Sequence, residues 1–68
     1  MDVTGEQLAK AIERKGWRLL RIHGSHHIYG KPGERAKPSI PFHGKKALKV
    51  GLLHKLMRDA GITEEDLR

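Results

Sequence analysis

Apolar residues recur at helical spacing near both ends of this chain, and between those stretches turn signals cut the sequence into short β-favouring runs. That alternation leaves few ways to bury the apolar side chains. At the start, Thr4-Gly5-Glu6-Gln7 has the form of a helix opening: Thr4 can cap, Gln7 can reach back as the third helical residue, and Val3 can staple against Leu8. Leu8, Ala11 and Ile12, with the stem of Lys15, form one stripe. Glu6 and Lys10 make an i,i+4 pair in the favourable order, and Gly16 ends the helix. The helical period returns from about Leu48, with Leu53, Leu56, Met57 and Ala60 on one face. Gly61 suits the left-handed position after a helix, Ile62 can pack back on Met57, and Thr63 opens a short acidic turn through Leu67.

Between the helices, Trp17 to Ile22 reads as a strand interrupted by Arg18 and Arg21. A turn at His23-Gly24-Ser25 leads into a second strand, His26 to Gly30. The Pro-Gly pair within Lys31-Pro32-Gly33-Glu34 marks the next turn, and Lys37 to Phe42 is a third strand. Pro38 and Pro41 have no N–H to give a ladder, which assigns that strand to a sheet edge. Connections this short predict an antiparallel meander. His43-Gly44-Lys45-Lys46 follows as a basic loop. The pattern therefore predicts an α+β fold, α-β-β-β-α, with two helices on one face of a three-stranded antiparallel sheet. The opposite face, or the strand ends, is left to a partner.

A chain of 68 residues is expected to form one domain, 1–68. A domain this small buries only about 60% of the surface its unfolded form exposes. With 37% hydrophobic residues and only Trp17, Tyr29 and Phe42 as aromatics, the core is expected to be thin and built mainly from Leu, Ile and Val. There is no cysteine, which suits a reducing compartment. No charged-then-apolar leader and no apolar run of membrane-spanning length occurs, so a soluble, cytoplasmic protein with no membrane partner is expected.

Charge narrows the partner. Fourteen Lys and Arg against eight Asp and Glu give a formal net charge of +6, and between Arg14 and Arg58 the only acid is Glu34. Contiguous positive charge of this kind is expected of a chain that meets nucleic acid or an acidic protein.

Within that cationic middle, Gly24-Ser25-His26-His27 concentrates whatever proton-transfer chemistry the chain has. A metal centre is not expected: there is no cysteine, and His26 and His27, as strand neighbours, point to opposite faces. No cofactor is expected either. Ser25 follows glycine in a turn and is expected to bond local backbone, because nothing resembles the strand–nucleophile–helix elbow. What remains is general acid–base work by one histidine on a phosphodiester. RNA carries its own nucleophile in the 2′-hydroxyl, and imidazole titrates at roughly 6.5 when unperturbed. His26 is the candidate catalytic residue, with Gly24 and Ser25 shaping its turn. Arg21, Lys31, Lys45 and Lys46 are candidates for binding RNA phosphate, as is His43 at the head of the basic loop, and amides around Gly24 can cradle a phosphate oxygen. His23 and His27 are expected to shape the site or face solvent, and His54 to lie on a helix surface. Trp17 and Tyr29 can stack on bases, but in so small a core packing is the stronger expectation. Two other readings stand beside this one. A non-catalytic RNA-binding module would share the charge and the sheet. A DNA-binding helix-turn-helix around Gly61 is disfavoured by Glu64, Glu65 and Asp66, which would repel phosphate.

Taken together these residues resemble the HicA-type toxins of toxin–antitoxin pairs, small messenger-RNA interferases. The likeness runs nearly end to end: Gly16-Trp17 after the opening helix, Gly24-Ser25-His26-His27-Ile28-Tyr29, then Ile40-Pro41-Phe42-His43-Gly44. Lys45 and Leu48 lead to Gly51-Leu52-Leu53, where the family usually has Gly-Thr-Leu, and Asp59-Ala60-Gly61-Ile62-Thr63 closes it. The resemblance implies a double-stranded-RNA-binding-like fold and cleavage of messenger RNA that depends on the histidine after Gly-Ser, here His26. It also implies a HicB-type antitoxin that covers this site.

Overall fold

Thr4 caps the first helix as expected. In the computed structural model, which describes residues 2–68, the Thr4 hydroxyl accepts from the Gln7 N–H at 3.2 Å and the Gln7 side-chain oxygen accepts from the Thr4 N–H at 2.9 Å. Two backbone donors at the helix start are thereby satisfied. This helix, α1 (Gly5–Arg14), is followed by β1 (Arg18–His23), β2 (His26–Gly30), β3 (Ser39–Pro41) and α2 (Val50–Ala60). Gly61 takes a left-handed φ of 69°, and the N–H groups of Gly61 and Ile62 donate to the carbonyls of Arg58 and Met57. That is the expected Schellman ending. The acidic end is a single 3-10 turn, Glu64–Leu67, tied back to α1 by the 3.0 Å Lys15–Asp66 ion pair. So short a turn gives no recognition helix for a DNA groove.

The sheet is an antiparallel meander in the order β1-β2-β3. β3 is shorter than the expected 37–42, since Pro38 just before it and Pro41 at its end have no N–H to donate. The pairing nonetheless extends past it, with Tyr29 N–H donating to the Pro38 carbonyl at 2.9 Å and Phe42 N–H to the Ser25 carbonyl at 2.7 Å. One core cluster joins helices and sheet, with Tyr29, Leu8, Ile12, Ile40 and Leu53 its largest fully buried members. Trp17 and Tyr29 are packing residues: the Trp17 Nε1–H donates to the Ala60 carbonyl at 3.1 Å, and the Tyr29 hydroxyl donates to the Glu13 carboxylate at 2.7 Å.

Alternation and register divide the sheet into two faces. Leu19, His27, Tyr29 and Ile40 lie toward α1, since Tyr29 reaches Glu13 and is paired with Leu19, while His27 is paired with Ile40. Arg18, Arg21, His23, His26, Ile28 and Ser39 share the opposite, helix-free face. The core departs from a simple Leu, Ile and Val composition. Leu19, Leu20 and Ile22 are 44%, 50% and 55% exposed, Val50 lies on the surface, and alanines of both helices take their place. Leu20 lies over Gly30 on the helix-free face, and for Leu19 and Ile22 the cause is where α1 sits. It presses on β3, with Gly5 against the Pro41 backbone, so the edge strand β1 is left largely uncovered.

Candidate nucleic-acid interface

The β1–β2 hairpin is built on two residues, Gly24 and Ser25, between the paired His23 and His26. Gly24 has φ +64° and Ser25 does not enter the left-handed region, the pattern of a turn with glycine at its first central position. A turn of this kind matches the twist of its strands and fixes the register, so it also fixes which face His26 occupies. Ser25 contributes its carbonyl, which accepts from Phe42 and ties the turn to the end of β3.

His26 is exposed on the helix-free face, opposite Pro41 on one side and His23 on the other. Its Nδ1 lies 3.3 Å from the Ser39 hydroxyl. If Ser39 donates, Nδ1 accepts and the ring is neutral, with its one proton on Nε2. If Nδ1–H donates to Ser39, the neutral ring presents a free Nε2 as a base and the imidazolium presents Nε2–H as an acid. Ser39 is a functional candidate that sequence reasoning missed. The only signal for it is register: it pairs with Ile28 and so falls on the face of His26. His27 has a different task, since its ring stacks on Phe42 with centroids 3.6 Å apart and planes 7° from parallel.

The other candidate residues divide into those brought together and one that is not. Arg21, paired with Ile28, shares the face of His26 and stands diagonally from it. His43, Lys45 and Lys46 are exposed in a turn closed by the Lys46 N–H donating to the His43 carbonyl at 3.1 Å, with Gly44 at φ +61°. This loop leaves the end of β3 that faces His26. Lys31, by contrast, follows the far end of β2, and its ammonium lies over the Trp17 ring, 6.0 Å from the centroid. Five residue steps along the strand take the chain from His26 to Lys31, about 17 Å at a rise near 3.4 Å per residue.

Electrostatics favour an anion on this side. Among the described residues, the ion pairs engage Lys10, Lys15, Lys55 and Arg68, and leave the other ten Lys and Arg without an acidic partner, Arg18, Arg21, Lys45, Lys46 and Lys49 among them. The groups with displaced pKa values lie elsewhere. Burial, reinforced by the hydrogen bond to Glu13 and by its charge, pushes the Tyr29 phenol well above the usual tyrosine range. The Thr63 backbone N–H, then Lys15, holds Asp66 below the usual carboxylate range. Among the described residues no three His, Asp or Glu side chains are grouped to hold a metal ion, and no helix is long and apolar enough to cross a membrane.

A sequence model of the family described as the HicA toxin of bacterial toxin-antitoxin matches residues 5–62, from the first residue of α1 to the close of the Schellman ending. No curated protein matches the chain.

Proposed function

The chain belongs to the HicA toxin family of bacterial toxin–antitoxin systems, and on that premise we propose that it is an endoribonuclease that cuts messenger RNA with His26 as its acid–base group. The observation that carries this reading is the placement of His26: exposed, held by Ser39, on the helix-free face, with Arg21 beside it. Arg21, Lys45 and Lys46 would take backbone phosphate, with His43 at the edge of their loop and Lys31 too distant to join them. In the reaction, His26 either removes the proton of the 2′-hydroxyl as that oxygen attacks the adjacent phosphorus, or gives a proton to the departing 5′-oxygen. The P–O5′ bond breaks, leaving a 2′,3′-cyclic phosphate on one product and a 5′-hydroxyl on the other. Nearby cations offset charge developing on the phosphoryl oxygens. The scheme calls on no metal ion or cofactor.

Residues 1–68 act in this reading as one toxin domain in the cytoplasm, arresting translation and growth. Family membership implies an antitoxin partner. A HicB-type antitoxin covering the helix-free face would remove His26 and Arg21 from RNA together. The test is to incubate the purified protein with total RNA and count new 5′-hydroxyl ends. New ends are expected. Binding of RNA without them would make the chain a non-catalytic RNA-binding module.

A further inference from the structure

A cleft of about 220 Å³ lies between the end of β3, the 43–49 loop and the first turn of α2. Its floor is apolar, from Pro41, Ala47, Leu48 and Leu52, and its rim carries His43, Lys46 and Lys49. We propose that this cleft is a base-binding subsite, which takes one unpaired base of the RNA strand and holds the attached phosphate on Lys46 and Lys49. The inference rests on the RNA-cleaving reading and adds to it a determinant of where the strand is cut.

Several features of the cleft favour this occupant. Its volume is below the roughly 300 Å³ at which pockets for drug-sized ligands begin, so it suits a single ring system rather than a whole nucleotide. An apolar floor with a cationic rim matches the division within a nucleotide between a planar base and an anionic backbone. Neither Lys46 nor Lys49 is ion-paired among the described residues, so their charge is open to a phosphate. His43 offers an imidazole plane at the rim, and unstacked RNA bases are commonly held on aromatic planes of this kind. The cleft is also preformed. Ala47 is bridged to Thr4, and the Leu48 N–H donates to the Val3 carbonyl at 2.7 Å, so the floor is fixed to the start of α1. Lastly, Pro41 belongs to both places: it lines the cleft and sits opposite His26 in the sheet. A base held here is therefore close to the cut in the strand.

The test is an amide chemical-shift titration of the protein with the four nucleoside 5′-monophosphates and with ribose 5-phosphate. None of these has a bond for the enzyme to cut, so the result does not depend on catalysis. Saturating shifts at Ala47, Lys49 and Leu52 are expected, with the preferred nucleotide bound at least about fivefold more tightly than ribose 5-phosphate, the low end of what one stacked base contributes. Leu52→Phe, which fills the floor, should reduce that nucleotide to the affinity of ribose 5-phosphate. If Leu52→Phe does not fold, Lys49→Gln at the exposed rim should weaken all five ligands alike and leave their ranking unchanged. The proposal is overturned if ribose 5-phosphate binds as tightly as every nucleotide, or if the shifts fall outside residues 41–52. The two readings can also fail separately. RNA cutting by a protein whose cleft ignores bases defeats only the subsite, and base binding in the cleft of a protein that never cuts RNA defeats only the cleavage.

Discussion

Gly5 and Gly51 are both helical glycines near a helix start, and the structure predicts opposite outcomes for the same substitution to alanine. A β-carbon on Gly5 would run into the Pro41 carbonyl oxygen, with the Pro41 carbonyl carbon at 3.0 Å and the Ile40 Cγ2 at 3.2 Å. Those neighbours cannot step aside by a change of rotamer, because two are backbone atoms of β3 and the third belongs to a fully buried side chain. Overpacking of this kind costs about 1–3 kcal/mol. The better helix propensity of alanine offsets at most about 1 kcal/mol of that, and less at a first helical position. A net loss of about 1–2 kcal/mol in a domain of this size lowers the melting temperature by roughly 5–15 °C, at about 4–8 °C per kcal/mol. A β-carbon on Gly51 meets nothing within 4 Å, so Gly51→Ala should gain about 0.5–1 kcal/mol and melt a few degrees higher. Far-ultraviolet circular dichroism melts of both variants beside the parent decide the matter. A Gly5→Ala protein that melts at or above the parent would refute the close seating of α1 on β3, and with it the account of what holds Pro41 opposite His26.

In the cleavage reading Ser39 would position His26, so Ser39→Ala should lower kcat by up to about tenfold, the worth of one hydrogen bond, with KM nearly unchanged, and Ser39→Thr should restore most of it; a loss confined to KM would count against the role. Tyr29 is the only tyrosine, and its raised pKa means that its contribution to stability is fully present below about pH 10, where the unfolded phenol ionises, and is lost as pH climbs above that. Tyrosinate absorbance should therefore appear together with the loss of buried Trp17 fluorescence, and a reversible titration near pH 10 in folded protein would contradict it. Asp66 has a lowered pKa, so its contribution is present above about pH 4 and disappears as pH falls through the lower folded value. Asp66→Asn should flatten the dependence of stability on pH in that acid range, and an unchanged acid dependence would count against the Thr63 and Lys15 contacts.

Local chemistry was legible in the sequence, and assembly was less so. The Thr4–Gln7 capping box and the Gly61 ending depend on residues three to five positions apart, and both appear as expected. The face of His26 follows from period-two alternation once Tyr29 is taken as core, because His27 and Tyr29 then share the inner side. The exposure of Leu19 and Ile22 was not legible, since they are core-type residues whose burial depends on where α1 comes to rest, and that of Leu20 follows from the irregularity between Leu19 and Arg21 that turns it to the helix-free face. Ser39 and Lys31 show the same limit from the two sides of the site. The register of β3 brings Ser39 to His26, whereas strand length carries Lys31 away to Trp17. The cleft at Pro41 is assembled from β3, the basic loop and α2, and no single segment announces it.

The central claim is that one imidazole, His26, performs the proton transfer. The most direct measurement is the rate of RNA cleavage by His26→Ala against the parent, at equal concentration, with dichroism and Trp17 fluorescence showing that both are folded. General acid–base catalysis typically contributes about 10²–10⁴-fold. The account predicts a loss of at least about a hundredfold with RNA binding retained. A folded His26→Ala protein that cuts RNA at the parent rate would contradict it.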